Sequence, residues 1–277
     1  MELVDGALAD RERAVTSLAG TTIFYEQMAA DPAFASSALA TVTVAIAGGS
    51  PVPVPLLERW QARGVSIRQG YGLTEGCSVV TLPPPDIAIA QPDVAGVGGI
   101  LREVRIVDEH DAECGPNVPG QIVVRGPGIS GGYWRDPVTT AEEFAGGWLH
   151  TGDVGTIDEH GGLRIVGRTK DVIISGGINI YAAELERIIG EIEGVVEVAV
   201  IGVRDERFGE TPAALVVADR LLTAADVVGH CRKRLAGYKA PRYVEFLDES
   251  LPRSPIGKIS KEPLRAKYSD LPSRRAR

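Results

Sequence analysis

The chain has 277 residues with 29 Lys+Arg against 37 Asp+Glu, a formal net charge of −8, 44% hydrophobic and 24% charged residues. This is ordinary globular composition for about two domains, too apolar for a disordered chain and too acidic for a nucleic-acid binder. The 33 glycines show no three-residue repeat, which excludes a collagen-like rod. No window approaches the ~20 apolar residues of a membrane span. Met1 to Asp10 carries Glu2, Asp5 and Asp10 and no apolar run, so no secretion signal is expected there. Cys77, Cys114 and Cys231 are few and widely spaced, as expected of reduced thiols in a cytoplasmic protein. The four histidines (His110, His150, His160, His230) read as surface or loop residues, and Arg274, Arg275 and Arg277 as a solvated tail.

Taken in chain order, residues 22–30 read as a helix stopped by Asp31-Pro32. Val42 to Ala47 is a short β-rich run that ends in Gly48-Gly49-Ser50. Pro55 to Arg63 reads as a helix with proline at its start, and Ser66 to Gln69 as a second strand leading into Gly70-Tyr71-Gly72. Strand, helix, strand at this spacing predicts a parallel βαβ unit, whose ligands belong at the carboxyl ends of the strands. After Pro83-Pro84-Pro85 the texture changes to short β-rich runs at 103–107, 121–125, 153–157 and 163–166. They predict a small antiparallel sheet or β-barrel region, with a hairpin turn at Asp158 to Gly162. A polar run, Gly167-Arg168-Thr169-Lys170-Asp171, marks a boundary. Beyond it, helices at 182–189 and 223–235 alternate with strands at 195–203, 213–218 and 243–246, predicting a compact α+β domain.

Two motifs carry little. Gly128-Ile129-Ser130-Gly131-Gly132 matches the nucleophile elbow of α/β-hydrolases, but the elbow needs a helix directly after the serine. Two glycines and Pro137 forbid that helix, so a strand-to-turn loop is expected and a hydrolase is a distant alternative. Gly96-Val97-Gly98-Gly99 lacks the last glycine of a dinucleotide fingerprint.

Four segments in a fixed order carry more: Tyr71-Gly72-Leu73-Thr74-Glu75, then Thr151-Gly152-Asp153, then Gly167 to Asp171 leading into Ile174-Ser175-Gly176-Gly177, and finally Leu251-Pro252-Arg253-Ser254-Pro255-Ile256-Gly257-Lys258. Together they resemble the adenylate-forming superfamily, in the form found in acyl-CoA synthetases. The resemblance implies an α/β large domain followed by a small, mobile α+β domain. It implies residues 1–167 as the end of the former, 168–277 as the latter, and a hinge near Lys170. It implies that a carboxylate is activated by Mg-ATP to an acyl-adenylate and transferred to coenzyme A. Tyr71 and Gly72 would meet the adenine together with Gly48, Gly49 and Ser50, and Asp153 and Arg168 the ribose. Thr74 would meet phosphate and Glu75 Mg²⁺, whereas Gly176 and Gly177 would line the path of the pantetheine. Lys258 would place positive charge between carboxylate and α-phosphate. The small Gly76, Cys77 and Ser78 would sit at the edge of the acyl pocket, consistent with a fatty or aryl acid.

Departures from the family pattern are Ile178, where glutamate is usual, and Ala182, where proline is common. The family's glycine- and hydroxyl-rich loop for the β- and γ-phosphates is not matched; Gly20-Thr21-Thr22 runs into a helix instead. The expectation is a truncated ligase, either a fragment of a longer enzyme or a chain that works with a separately made N-terminal half. The alternative is a non-catalytic nucleotide- or partner-binding remnant of one.

Overall fold

The computed structural model describes residues 15–99, 101–254, 257–269 and 271. Met1 to Asp10, the pair Pro255-Ile256 and Arg274, Arg275 and Arg277 lie outside them. The chain forms two compact units, divided between Ile165 and Val166.

The first unit opens with β1 (Ser17–Thr21), α1 (Thr22–Ala30), β2 (Val44–Gly48), α2 (Val54–Gln61) and β3 (Ile67–Gly70). The three strands are parallel in the order β1-β2-β3. The predicted βαβ unit is present and extended by one strand. Alternate residues of β2, Ala45 and Ala47, are buried, and they join Tyr25, Phe34, Leu57 and Trp60 in one core. Trp60 meets Tyr25 and Phe34 edge-on, with ring centroids 5.2 and 4.8 Å away, and its indole N–H donates to the Tyr25 carbonyl at 3.2 Å. The Tyr25 hydroxyl reaches the Leu18 and Ile46 carbonyls at 3.1 and 3.0 Å and so ties α1 to two strands. Burial pushes its pKa up to about 12. Helix α1 ends where Pro32 forces Asp31 into an extended conformation.

β4 (Thr81–Leu82), α3 (Pro85–Ala90) and β5 (Val97–Gly98) connect to a second sheet. That sheet holds β6 (Glu103–Val107), β7 (Gly120–Arg125), β8 (Leu149–Ile157) and β9 (Leu163–Arg168), side by side in that order. The β6–β7 and β7–β8 ladders are antiparallel, as the sequence predicts. Helix α4 (Pro137–Glu143) interrupts β7 and β8; Asp136 caps it by accepting from Thr139 N–H at 3.0 Å. The Asp158 carboxylate accepts from the backbone N–H groups of His160 and Gly162 and from Arg164, which together hold its pKa below the usual carboxylate range.

The second unit holds β10 (Val172–Ser175), β11 (Ile178–Tyr181), α5 (Ala182–Gly190), β12 (Val195–Asp205), β13 (Gly209–Ala218), α6 (Ala224–Arg234), β14 (Tyr243–Phe246) and α7 (Lys261–Tyr268). Its sheet runs β11-β10-β13-β12, with β14 parallel to β13. Period-two alternation serves two cores. Val200 of β12 packs with Leu185, Ile189 and Val227, whereas Ala199 and Ile201 pack with Leu264 and Tyr268. Thr223 and Asp226 form a reciprocal capping box that starts α6.

Two histidines differ from expectation. His110 and His160 are exposed in turns, but His150 lies in β8 and His230 in α6, with side chains only 16% and 18% exposed. A strand and an amphipathic helix each turn part of such a residue toward neighbours, and burial lowers the His230 pKa. Among the described residues, no helix is long and apolar enough to cross a membrane.

Candidate active site

In the first unit the predicted residues collect at the carboxyl ends of β2 and β3. Gly48 pairs with Gly70 in register, and a Cβ on Gly48 would lie 3.5 Å from the Gly70 carbonyl oxygen. Ser50 Oγ donates to Thr22 Oγ1 at 3.0 Å, which fastens the Gly48-Gly49-Ser50 turn to the start of α1. Gly49 has φ of 86°, a conformation that glycine adopts without strain.

Tyr71 follows β3 directly and is buried. Its hydroxyl donates to Asp153 Oδ2 at 3.0 Å, across 82 residues of sequence. Asp153 sits on β8, two residues after buried Thr151, whose hydroxyl donates to the Ile122 carbonyl at 2.8 Å and accepts from Asp153 N–H at 3.2 Å. The second sheet therefore delivers Asp153 to the end of the first.

Residues 72–80 form a tight reversal. Val80 and Thr81 N–H groups donate to the Tyr71 carbonyl at 2.8 and 3.0 Å, and Ser78 N–H donates to Leu73 at 3.1 Å. Gly72 is compelled by this closure: a Cβ there would lie 1.6 Å from the Ser78 carbonyl oxygen. Cys77 and Ser78 both take positive φ, 51° and 80°, to complete the turn. Thr74, Cys77 and Ser78 are exposed.

Glu75 lies on the short helical turn Thr74–Gly76, and its surroundings were not read from the sequence. Its carbonyl accepts from Ser130 N–H at 2.7 Å. Its carboxylate accepts from the Tyr133 hydroxyl at 2.9 Å, and that hydroxyl also lies 3.0 Å from Glu143 Oε2. Burial and the two carboxylates push the Tyr133 phenol well above its ordinary pKa. Thus Ser130, expected in a plain loop, and Tyr133 bracket Glu75. No sequence signal marks them, because they lie 55 and 58 residues from Glu75 along the chain. Among the described residues no three His, Cys, Asp or Glu side chains converge as a metal site. A single carboxylate nevertheless suits Mg²⁺, which keeps its waters and is carried largely by substrate phosphates.

The second unit holds the other predicted residues. Arg168 ends β9 and is exposed, as is Lys170 on the turn Thr169–Asp171. That turn is anchored within its unit: Arg265 donates to Asp171 Oδ1 at 2.5 Å, and Lys261 lies 4.0 Å from Asp171 Oδ2 while it pairs with half-buried Glu186 at 2.8 Å. Gly176 and Gly177 form the two-residue turn of the β10–β11 hairpin, with φ of 60° and 80°, the positive pair that such turns require. Beside them opens a cleft of 520 Å³, lined by Gly176, Phe208, Arg232, Tyr238 and Arg242 among others. Lys258 is exposed on the loop before α7, and its carbonyl accepts from Ser254 N–H at 2.8 Å.

Comparison with known proteins identifies relatives of the chain. Residues 7–134 match the sequence model of the AMP-binding enzyme, and residues 184–258 that of the AMP-binding enzyme C-terminal domain. The chain is 39% identical over 252 residues to a long-chain-fatty-acid–CoA ligase of Escherichia coli O157:H7, covering 90% of this chain and 45% of that protein. It is 40% identical over 261 residues to a feruloyl-CoA synthase of an Amycolatopsis species, covering 94% and 53%. The chain thus spans about half the length of the curated relatives it matches. Among solved structures, ATP-bound MatB from Rhodopseudomonas palustris superposes with a TM-score of 0.86 at 34% identity, over 98% of this chain and 53% of that one. The o-succinylbenzoate CoA synthetase MenE of Bacillus subtilis, solved with its acyl-adenylate intermediate, gives 0.83 at 31% identity, over 91% and 51%.

Proposed function

Because the chain belongs to the AMP-binding enzyme family, we propose that it supplies the AMP side and the thiol-transfer side of an AMP-forming carboxylic acid–CoA ligase. The observation that carries this reading is the Tyr71–Asp153 hydrogen bond of 3.0 Å beside the Gly48–Gly70 pair. It puts an aromatic ring, a carboxylate and approachable backbone at the end of a parallel sheet, where a nucleoside fits. Tyr71, Gly72 and Gly48 to Ser50 hold the adenine. Asp153 accepts from the vicinal ribose hydroxyls, with Arg168 as the second ribose contact. Thr74 donates to phosphate, and Glu75 binds the Mg²⁺ that arrives with ATP.

In the first half-reaction a carboxylate oxygen attacks the α-phosphorus and pyrophosphate leaves. An anion approaches a polyanion, so the ammonium of Lys258 stabilises the charge that crowds the transition state. In the second, the thiol sulfur of coenzyme A attacks the acyl carbon and AMP leaves. Gly176 and Gly177 line the approach of the pantetheine, and the cleft beside them, with Arg232, Arg242 and Tyr238, suits the coenzyme's phosphates and base. Residues 1–167 act as part of the large domain and 168–277 as the small one, pivoting at Lys170 between the two steps. Two of the relatives are named for a long-chain fatty acid and for a feruloyl group, and a fatty or aryl acid is the substrate proposed here. Contacts to the β- and γ-phosphates belong in this reading to the half of those relatives that the chain does not match. The three cysteines are free, which suits the cytoplasm.

The test is AMP formation from Mg-ATP with a panel of fatty and aryl acids, with and without coenzyme A, beside Lys258→Ala. The assay is run on the chain alone and with the matching half added. Acid-dependent AMP formation that vanishes in Lys258→Ala supports the reading. AMP binding with no turnover in either arm would instead mark a nucleotide-binding module.

A further inference from the structure

The Tyr133 phenol has one hydrogen and two carboxylate neighbours, Glu75 Oε1 at 2.9 Å and Glu143 Oε2 at 3.0 Å. It can therefore donate to only one of them at a time. Everything else about Tyr133 is tied down by its own segment. Its N–H donates to Thr140 Oγ1 at 2.9 Å, and its ring stacks edge-on against Phe144 with centroids 5.8 Å apart. Gly132 before it has φ of 132°, and a Cβ there would lie 2.3 Å from Thr140 Cγ2. The segment leading into helix α4 thus presents a fixed phenol to a carboxylate that sits on a short surface turn.

Resting on the ligase reading, we propose that Tyr133 is the positioning residue for Glu75. It holds Oε1 by donation, orients the carboxylate toward the cation of Mg-ATP, and is itself backed by Glu143. Glu143 is the alternative acceptor: when the phenol hydrogen turns to it, Glu75 is released without movement of a heavy atom. A group that orients a metal-binding carboxylate contributes through ligand geometry, and losing such a partner typically costs 10–100-fold in metal affinity.

The experiment uses the full chain, Mn²⁺ in place of Mg²⁺, and electron paramagnetic resonance of stoichiometric Mn-ATP titrated with the chain, so that the signal reports Mn²⁺ held on the protein rather than on free nucleotide. Metal-free AMP binding by calorimetry runs in parallel, because it reports the nucleotide site without the cation. In Tyr133→Phe, Mn²⁺ binding should weaken by about 10-fold while AMP affinity stays unchanged. In Glu143→Gln, the new amide can donate to the phenol oxygen and commit the phenol hydrogen to Glu75, so Mn²⁺ affinity is retained or rises. Unchanged Mn²⁺ affinity in Tyr133→Phe overturns the assignment. So does equal weakening in both variants, which would mark a merely structural cluster, and so does an unmodified chain that binds AMP but shows no ATP-dependent Mn²⁺ site. An unmodified chain that fails to bind AMP overturns the nucleotide reading, and this assignment with it.

Discussion

Replacing Gly72 by alanine introduces a methyl group 1.6 Å from the Ser78 carbonyl oxygen, 2.6 Å from its carbon and 2.9 Å from Val79 Cα. All three are backbone atoms, so no rotamer change relieves the clash. The two arms of the 72–80 reversal must separate by about 1.4 Å before even a 3.0 Å approach is reached. That separation breaks the Ser78–Leu73 and Val80–Tyr71 hydrogen bonds, 3.1 and 2.8 Å long, and loosens Thr81–Tyr71 at 3.0 Å. At about 1 kcal/mol for each bond lost, with an overpacking cost of about 1–3 kcal/mol, the variant should lose roughly 3–5 kcal/mol from the first unit. Displacing Tyr71 also disturbs its bond to Asp153, so AMP affinity should fall by at least about 10-fold. Urea unfolding followed by tryptophan fluorescence gives the stability, and calorimetry gives the AMP affinity. Gly115→Ala is the control, because a Cβ there meets nothing within 4 Å. If Gly72→Ala and Gly115→Ala unfold at the same urea concentration and bind AMP alike, the argument from close approach is wrong.

Three further outcomes are expected. Trp60→Ala removes a fully buried side chain wedged between Tyr25 and Phe34 and should cost about 3–5 kcal/mol. Native-state hydrogen exchange should show the loss confined to residues 15–165; equal loss in the second unit would contradict two independent cores. Lys170→Pro should leave acyl-adenylate formation intact and slow thioester formation, measured as separate half-reactions; equal loss of both would refute a pivot at that turn. Burial pushes the Cys231 thiol up to about 11, which leaves little thiolate at pH 8, whereas Cys77 is exposed. An aromatic disulfide reagent at pH 8 should therefore label Cys77 in the native chain and Cys231 only after urea is added. Because the thiolate fraction rises with pH, reaction of Cys231 in the native chain at pH 8 would contradict its burial.

Periodicity alone determined much of the architecture. The run of small and β-branched residues before Gly48 and the proline-started helix after it specify β2, α2 and β3, because strand and helix periods cannot be exchanged. The texture changes at Gly167 to Asp171, and the folded chain divides into two compact units between Ile165 and Val166. The candidate site residues could be picked out only as short segments in a fixed order, through their likeness to adenylate-forming enzymes. What the sequence could not show are contacts made by distant segments. β1 is one case: Ser17 to Thr21 has little intrinsic strand preference and becomes a strand through its parallel ladder with β2. The Tyr71–Asp153 bond, the clash that reserves position 72 for glycine, and the Tyr133 hydroxyl on Glu75 are others. Local propensity acts over a few residues, whereas hydrogen bonds and steric exclusion act over a few ångströms in space. Only the folded chain brings residues 58 and 82 positions apart within that range.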